Sequence, residues 1–584
     1  MKHSQYKEYS KLINIFFEGQ WWNVFWMIFF YILKHSPVWV MPIVIARLID
    51  LHSVEPNKRI NMLILYGGLM ILMFVIHPFL HPIYIKFQSK IARGVSLDLR
   101  IKLCRKLQQL SLLFHNRTRV GRLHSKIIRD IDVIESLPRL LTESFITAIL
   151  TILITFVIIL VRAPITILLF SILVPIAIAV RRKYRSVIKE SAKLFRVNFE
   201  NMSASLSDMM QMIPVTRAHG LEEYQMKTII EKITNVFKKG MEYDIISAKY
   251  ISISWAGFMI CQTVFLIGAV YLSFLKVITV GDIVMFNSFF ASVSGSILML
   301  FGTLPMLTQV KESIESINEV LNYPDIEQNE GKIKISNVYG KFEFKNVYYS
   351  YPDSSEDAVS DITLKIEPGM SVGIVGPSGC GKTTLLFLLL GFIRPTKGKI
   401  LIDDKDMNEI DLRSFRNYVS VVTQDTVFFS GTIKENVAYG ETYITDEDVI
   451  RALKMANAWD FVKELPDNIN TVIGEKGVSL SGGEKQRIAI ARALIREPHV
   501  LILDEATSAL DVISEKLIQD TLELVMKNQT TIIVSHRLSI VRNVDMIVVL
   551  DKGRIVAIGT HNELMKFDNP YSRFYIQSNI NTTV

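Results

Sequence analysis

A chain of 584 residues is too long to fold around one hydrophobic core, so two or three domains are expected. Hydrophobic residues make up 49% of the chain and are concentrated before residue 310, which argues against a wholly soluble protein. The net charge of +8 would suit a nucleic-acid partner, but most of the surplus flanks apolar stretches, so no nucleic acid is expected.

The N-terminal half is predicted to be a membrane domain. Residues 1–20 carry apolar and basic side chains at helical spacing and predict an amphipathic helix on the inner membrane face, with a disordered tail as the alternative. Six apolar segments follow, and each is long enough to cross a bilayer, which takes about 20 residues of helix. They lie at 21–46, 60–83, 140–161, 164–181, 252–275 and 283–306.

Two long connections between these segments are strongly basic. Residues 86–139 and 181–249 carry thirteen Lys and Arg residues each, whereas the other connections carry one to three. The positive-inside rule therefore places both connections, the N-terminus and the C-terminal half on the cytoplasmic side of the cell membrane. Apolar residues recur at helical spacing in both, so we expect rods that extend the spanning helices, with independent soluble domains as the alternative.

The first functional motif of the C-terminal half is a glycine-rich loop. Residues 376–384 read Gly-Pro-Ser-Gly-Cys-Gly-Lys-Thr-Thr between an apolar strand and an apolar helix, which is the context that a phosphate-binding loop requires. Lys382 is expected to contact the β- and γ-phosphates of ATP, and Thr383 to ligate Mg²⁺. The nucleotide-binding residues expected here are Gly376, Pro377, Ser378, Gly379, Cys380, Gly381, Lys382, Thr383 and Thr384.

Two adjacent carboxylates end a second apolar strand at residues 500–503. Asp504 is suited to the Mg²⁺ shell, and Glu505 is placed to polarise the water that attacks the γ-phosphorus. Two structural acids at a strand terminus are the alternative, which the phosphate-binding loop disfavours.

A third motif, Leu480-Ser-Gly-Gly-Glu484, lies shortly before the acidic strand. With it, the chain resembles ABC transporters of the exporter type, in which one membrane domain is fused to one ATPase domain. The resemblance covers nearly the whole chain. It implies an α-helical membrane domain of six transmembrane helices with long cytoplasmic extensions, then an α/β P-loop ATPase domain with an antiparallel β and an α-helical subdomain. The implied boundaries are 1–20 for the N-terminal helix, 21–310 for the membrane domain, 311–340 for a connector and 341–584 for the ATPase domain.

Further roles follow from the resemblance alone. Residues 480–484 resemble the signature motif, which binds the γ-phosphate of ATP held by the other subunit of a dimer. Gln424 resembles the Q-loop glutamine, His536 the switch histidine and Tyr351 the aromatic residue that stacks on adenine. The implied catalytic residues are Glu505, His536 and Lys382; the added nucleotide-binding residues are Tyr351, Gln424, Ser481, Gly482, Gly483 and Glu484; and the implied metal ligands are Thr383, Gln424 and Asp504. The segments 474–477 and 508–511 resemble the X-loop, with Glu475, and the D-loop.

Two residues depart from the family pattern. Glu484 stands where the signature motif usually has Gln, and we expect its carboxylate to face away from the triphosphate. Cys380 lies inside the phosphate-binding loop, where its thiol is either sensitive to alkylation without ATP or a tolerated small residue.

Coupling between the domains is predicted at two segments, 113–122 and 211–220, which resemble the short coupling helices of exporters. The substrate pathway is less defined. Lys34 and His35 fall near the middle of the first span without an evident acidic partner, so an anionic substrate group, snorkelling or a helix break remain open. His77 and His81 share a helix face, but further metal ligands are missing.

The predicted function is therefore ATP-driven primary export of a drug, lipid or peptide by a dimer of half-transporters in the cell membrane, with ATP and Mg²⁺ as cofactors. The second half-transporter is expected to be an identical copy, with a different partner chain as the alternative. An importer with the exporter fold, or half of a heterodimeric peptide transporter, is the alternative function.

Overall fold

The structure is a computed structural model in which the chain divides into two compact units. It describes residues 19–118, 120–171, 173–327, 329–352, 354, 356–424, 426–441, 443–474, 480–505, 519, 523, 526, 529–535 and 537–580. The first unit comprises Met1–Leu107 and Gly121–Asn322, and the second comprises Gln108–Val120 and Tyr323–Val584. The helix predicted over residues 1–20 lies outside the described residues apart from its last two positions.

Long helices make up the first unit. In chain order the helices before residue 322 are α1 (Trp21–Ile49), α2 (Pro56–Gln109), α3 (Leu112–Arg117), α4 (Val120–Ser125), α5 (Ile131–Glu135), α6 (Leu137–Leu140), α7 (Thr147–Arg162), α8 (Ile167–Ser171), α9 (Leu173–His219), α10 (Glu222–Phe274) and α11 (Val280–Leu321). Short 3₁₀ turns lie at Asp50–Ser53 and Pro164–Thr166, and π-helical turns at Lys126–Asp130 and Leu141–Ile146.

The prediction that the basic connections extend the spanning helices is confirmed. Helix α2 runs on to Gln109, and α9 and α10 meet at a two-residue turn, Gly220–Leu221. Among the described residues, five helical stretches are long and apolar enough to cross a membrane: Trp21–Ser53, Pro56–Gln109, Gly121–Arg162, Glu222–Phe274 and Val280–Leu300. The predicted span at 164–181 contains a residue outside the described set, so the count of six stays a prediction.

A carboxylate joins the first and last spanning helices. Asp50, at the end of α1, accepts hydrogen bonds from the Thr279 hydroxyl at 2.6 Å and from the Gly281 backbone N–H at 2.9 Å. A Cβ atom at Gly281 would lie 2.2 Å from the backbone oxygen of Ala46, so only glycine allows this approach. Thr279 and Asp282 form a capping box that begins α11 at the same place.

The second unit contains two main sheets. The strands are β1 (Phe342–Ser350), β2 (Asp357–Ile366), β3 (Ser371–Val375), β4 (Lys397–Ile402), β5 (Lys405–Asp406), β6 (Val419–Val422), β7 (Gly431–Thr432), β8 (Val472–Ile473), β9 (Val500–Asp504), β10 (Thr530–Val534), β11 (Met546–Asp551) and β12 (Arg554–Gly559). One sheet is antiparallel with the order β2-β1-β4-β5. The other has the order β12-β11-β3-β10-β9-β6, and all its neighbours are parallel except β12.

Short helices cover the sheets of the second unit. They are α12 (Lys382–Leu389), α13 (Leu412–Arg416), α14 (Ile433–Val437), α15 (Asp446–Met455), α16 (Trp459–Val462), α17 (Gly482–Leu494), α18 (Leu538–Val541), α19 (His561–Leu564) and α20 (Pro570–Ile580). Strands β3 and β10 are buried along their whole length, because helices pack on both faces of a parallel sheet. The core of this unit therefore lies on either side of β3 and β10.

The segment after α11 is attached firmly to the second unit. Ile326 pairs with Leu110 and Ile333 pairs with Ile410 in isolated β-bridges. Glu327 forms a half-buried ion pair with Arg416 at 2.8 Å. Burial pushes the pKa of Glu327 upward, but hydrogen bonds from Arg416 and Asn329 outweigh it, so the pKa is lowered. Residues 323–341, which connect α11 to β1 and contain no helix or strand at the described positions, are thus held within the second unit by these contacts.

The two predicted coupling segments differ from each other. The first contains the short helix α3, which Ser111 caps, and the Phe114 ring lies 4.7 Å from that of Tyr323 within the second unit. The second is not a separate short helix, because residues 211–219 are the last turns of α9. Pro214 lies inside α9 and does not end it. The prediction of two short coupling helices is therefore wrong for the second segment.

Candidate ATP-binding site

The predicted site residues follow neighbouring strands of the parallel sheet. The glycine-rich loop follows β3, Asp504 and Glu505 end β9, and Gln424 follows β6. Because the carboxyl ends of parallel strands lie at one edge, motifs more than a hundred residues apart in sequence meet there. The edge of a doubly wound sheet is where this class of fold binds its ligands.

Two glycines allow the tight path of the loop. A Cβ atom at Gly376 would lie 2.2 Å from the Leu550 backbone oxygen. Gly381 has a φ of +106°, and a Cβ atom there would lie 2.7 Å from the Ala358 backbone oxygen. Gly381 also begins α12 without a side-chain cap, so no side chain occupies the first N–H groups of that helix. Uncapped N–H groups at a helix N-terminus form an anion-binding site.

Side chains of the same loop line this site. Lys382 is only 6% exposed, and its Nζ donates to the backbone oxygens of Gly376 at 3.0 Å and Pro377 at 2.9 Å. The hydroxyl of Thr384 lies 3.2 Å from the Tyr351 hydroxyl, which places the predicted adenine-stacking residue beside α12. Ser378, Gly379 and Thr383 are exposed at the tip of the loop and the start of the helix.

The structure brings the predicted Q-loop glutamine and the predicted catalytic acid together. Gln424 Nε2 donates to Glu505 Oε2 at 2.8 Å. Glu505 has a φ of +48°, a left-handed conformation that costs a residue other than glycine about 1 kcal/mol or more, and its N–H donates to Val534. Burial raises the pKa of Asp504, and the neighbouring Glu505 raises it further, whereas Lys382 lowers it. Asp504 is therefore close enough to Glu505 and to Lys382 to interact electrostatically with each of them.

The signature segment begins α17. Ser481 is its N-cap, and its hydroxyl accepts from the Glu484 N–H at 3.3 Å. The Glu484 carboxylate accepts in turn from the N–H of Ser481 at 2.7 Å and from its hydroxyl at 2.8 Å. This capping box explains the local fold, because an acid three residues after a serine N-cap closes it as a glutamine would. The expected orientation of Glu484 relative to a triphosphate stays a prediction.

Several predicted residues lie outside the described residues, so their positions are left open. They are His536, Glu475 and the D-loop at 508–511.

Comparisons with known proteins identify both halves of the chain. Residues 359–508 match the ABC transporter family, and residues 24–297 match the ABC transporter transmembrane region. YgaD of Bacillus subtilis, provisionally named a multidrug export ATP-binding/permease protein, is 32% identical over 564 residues, which cover 94% of this chain and 96% of YgaD. The chain is an ABC transporter. As such it binds ATP and couples ATP hydrolysis to transport.

Two further similarities concern the whole transporter. A Staphylococcus aureus protein with the same provisional naming is 32% identical over 577 residues, covering 96% of the transporter and 98% of the relative. The solved structure of a bacterial Atm1-family ABC exporter with ATP bound superposes with a TM-score of 0.81 at 24% identity, covering 95% and 98% of the two chains. At this identity the superposition shows a shared fold.

The membrane half of the transporter corrects one expectation. Lys34 does have an acidic neighbour, because Glu143, in the third predicted span, is close enough to interact with it electrostatically. Glu143 lies more than a hundred residues after Lys34 in the chain, so the sequence alone did not show that the two are close in space. His77 and His81 stack at 6.0 Å, and the described residues contain no group of three potential metal ligands. In α11, Ser288, Ser292 and Ser296 each donate to a backbone oxygen one turn earlier.

The environment of Cys380 favours a structural role over reactivity. Its side chain is 4% exposed, and burial raises the pKa of its thiol, although Lys382 opposes that effect. Maleimide is expected to label the exposed Cys104 at least about tenfold faster than Cys380 in the nucleotide-free protein, as read by mass spectrometry of peptides. Cys104→Ser should then leave little labelling. Labelling of Cys380 that ATP prevents would contradict this expectation.

Proposed function

We propose that the transporter is an ATP-driven primary exporter that works as a dimer of half-transporters in the cell membrane and moves a drug, lipid or peptide out of the cytoplasm or inner leaflet. The main support is the hydrogen bond between Gln424 and Glu505 at the sheet edge that also carries the glycine-rich loop, since ATP hydrolysis needs a base and a phosphate-binding loop close together. The provisional naming of the relatives as multidrug export proteins supports the direction of transport.

The loop residues bind the triphosphate in this proposal. Backbone N–H groups of residues 378–383 contact phosphate oxygens, and Lys382 leaves its two backbone partners to reach the β- and γ-phosphates. Tyr351 stacks on adenine. Thr383, with its exposed hydroxyl, and Asp504 would hold Mg²⁺, assisted by Gln424. When bound there, Mg²⁺ would supply positive charge against the negative charge that develops on the phosphate oxygens.

The catalytic residues then act on water and on the γ-phosphate. Glu505 accepts a proton from the attacking water, and Gln424 holds its carboxylate in place. His536 contacts the γ-phosphate. Ser481, Gly482, Gly483 and Glu484 of a second copy complete the site from the N-terminus of α17.

The proposed organisation follows the implied boundaries. Residues 21–310 form six transmembrane helices, 311–340 connect them to the ATPase domain at 341–584, and 1–20 lie on the inner membrane face. The ATPase domain and the N-terminus face the cytoplasm. An identical second copy is the proposed partner, and a different half-transporter is the alternative.

Reconstituted vesicles test the direction of transport. With ATPase domains facing outward, ATP should drive accumulation of Hoechst 33342, of a fluorescent phospholipid or of a labelled hydrophobic peptide, one probe for each cargo class. Glu505→Gln protein is the control, and it should abolish the uptake. ATP-dependent loss of preloaded probe would favour the importer alternative, and movement of every probe without ATP would contradict primary transport.

A further inference from the structure

A lysine lies in the first spanning helix without an ion-pair partner. Lys34 is half-buried in α1 and forms no salt bridge with any carboxylate of the described residues. Its Nζ lies 4.4 Å from the ring centroid of Tyr84 and 5.3 Å from that of Tyr31. A cation–π contact attracts a lysine through the quadrupole of the ring, but an aromatic ring carries no net charge that would neutralise the lysine. The two rings therefore hold Lys34 in place without fully offsetting its charge.

The nearest acid is already engaged. Glu143 pairs with Arg139 at 3.0 Å, one helical turn away. Two cations and one carboxylate leave this region with one excess positive charge. The surrounding histidines, His35, His77 and His81, can only be neutral or positive. The electrostatic balance therefore favours a negatively charged group.

Hydrogen bonds to α7 and the π-helical turn before it fix the aromatic residues around Lys34. The Tyr84 hydroxyl lies 2.9 Å from the Thr142 hydroxyl, and the Tyr31 hydroxyl contacts that of Thr147. Both tyrosine hydroxyl groups thus already have hydrogen-bond partners within the protein. The buried Nδ1 of His81, in contrast, has no hydrogen-bond partner among the described residues, and its ring lies 6.2 Å from that of Tyr84.

An apolar surface continues from this point along α1. The rings of Trp26 and Phe30 stack on Phe87 of α2 at 6.5 and 5.9 Å, and Trp22 and Phe25 lie exposed one turn further on. A molecule with an anionic group at Lys34 can lay an acyl chain or apolar ring along these residues.

We propose that Lys34, with His81, binds the anionic group of an amphipathic molecule, a carboxylate or a phosphate, whose apolar part lies on the aromatic residues of α1 and α2. The proposal deepens the proposed function, on which it rests for the identity of the molecule as cargo. The shared chemistry has two sources, an amphipathic anion from the cytoplasm or the headgroup of an anionic membrane lipid.

A fluorescent fatty acid provides the test. The full-length protein in nanodiscs of phosphatidylcholine is titrated with 11-(dansylamino)undecanoic acid and with its uncharged methyl ester. The wild type should bind the acid at least tenfold more tightly than the ester. Lys34→Met should remove that preference without changing ester binding, and Lys34→Arg should retain it. Lys58→Met is the matched control, because Lys58 is exposed and pairs with Glu55 at 2.9 Å.

The outcomes separate the two proposals. A preference that survives Lys34→Met, or equal binding of acid and ester by the wild type, would overturn the anion site even if ATP-driven transport is intact. Preferential binding in a protein that transports nothing would support the site and contradict the proposed function. Competition with added phosphatidylglycerol assigns the source: displacement of the acid indicates a lipid headgroup, and unchanged binding indicates a cytoplasmic amphipath.

Discussion

Replacement of Glu505 by Gln is expected to lower ATP turnover by about 10²- to 10⁴-fold, which is the usual contribution of a positioned general base. The substitution keeps the size of the side chain and an oxygen that accepts from Gln424 Nε2, now 2.8 Å away. The strained backbone at φ +48° is also retained, so folding should be unaffected. Only the proton-accepting charge is lost. ATP binding should therefore persist while hydrolysis stops, and the variant should accumulate as an ATP-bound closed dimer.

Phosphate release and nucleotide binding measured on the same sample check this expectation. Glu441→Gln is the matched control, because Glu441 is an acid of the same domain that pairs with Arg496 at 3.2 Å on the surface. Its turnover should stay at the wild-type level. Near-normal hydrolysis by Glu505→Gln would assign the base to another residue. Loss of nucleotide binding would show instead that the carboxylate is needed to assemble the site.

Local motifs made the strand, loop and helix of the candidate nucleotide site predictable from sequence. Strand β3, the loop and α12 are continuous in the chain, so the residue types and their spacing determine the geometry. The contact between Gln424 and Glu505 depends on the strand order β9-β6, which no local pattern encodes. The burial of Asp504, which raises its pKa, arises only when the sheet is packed, so it could not be predicted from local sequence either.

The structure of the membrane half was also only partly predictable from the sequence. Among the described residues, hydropathy located five of the six predicted spans, because a spanning helix must be apolar along its length. It did not predict the π-helical turn at Leu141–Ile146, which contains Glu143. Nor did it show that α9 continues through Pro214, since a proline removes one hydrogen bond but packing against α10 keeps the helix intact.

A composite nucleotide site predicts that two inactive copies restore activity when combined. Lys382→Ala removes the cation that is proposed to contact the phosphates, and Ser481→Asp places a negative charge where the proposed site brings Ser481 of the second copy to the γ-phosphate. Each variant alone should lose at least about 100-fold in turnover, because both sites of its dimer carry the defect. Aspartate is a good N-cap, so α17 should remain folded. Ser481→Asn, which caps equally well without the charge, is the matched control and should lose less.

Coexpression of the two inactive variants shows whether the nucleotide site is built from two chains or within one chain. In a mixed dimer, Lys382 of the Ser481→Asp chain faces Ser481 of the Lys382→Ala chain, so one of the two sites is intact. Since random pairing makes half of the dimers mixed, turnover should recover to at most about a quarter of the wild type. A site built within a single chain would give no recovery, because neither chain then holds both residues. Normal hydrolysis by a strictly monomeric wild type would contradict the shared site directly.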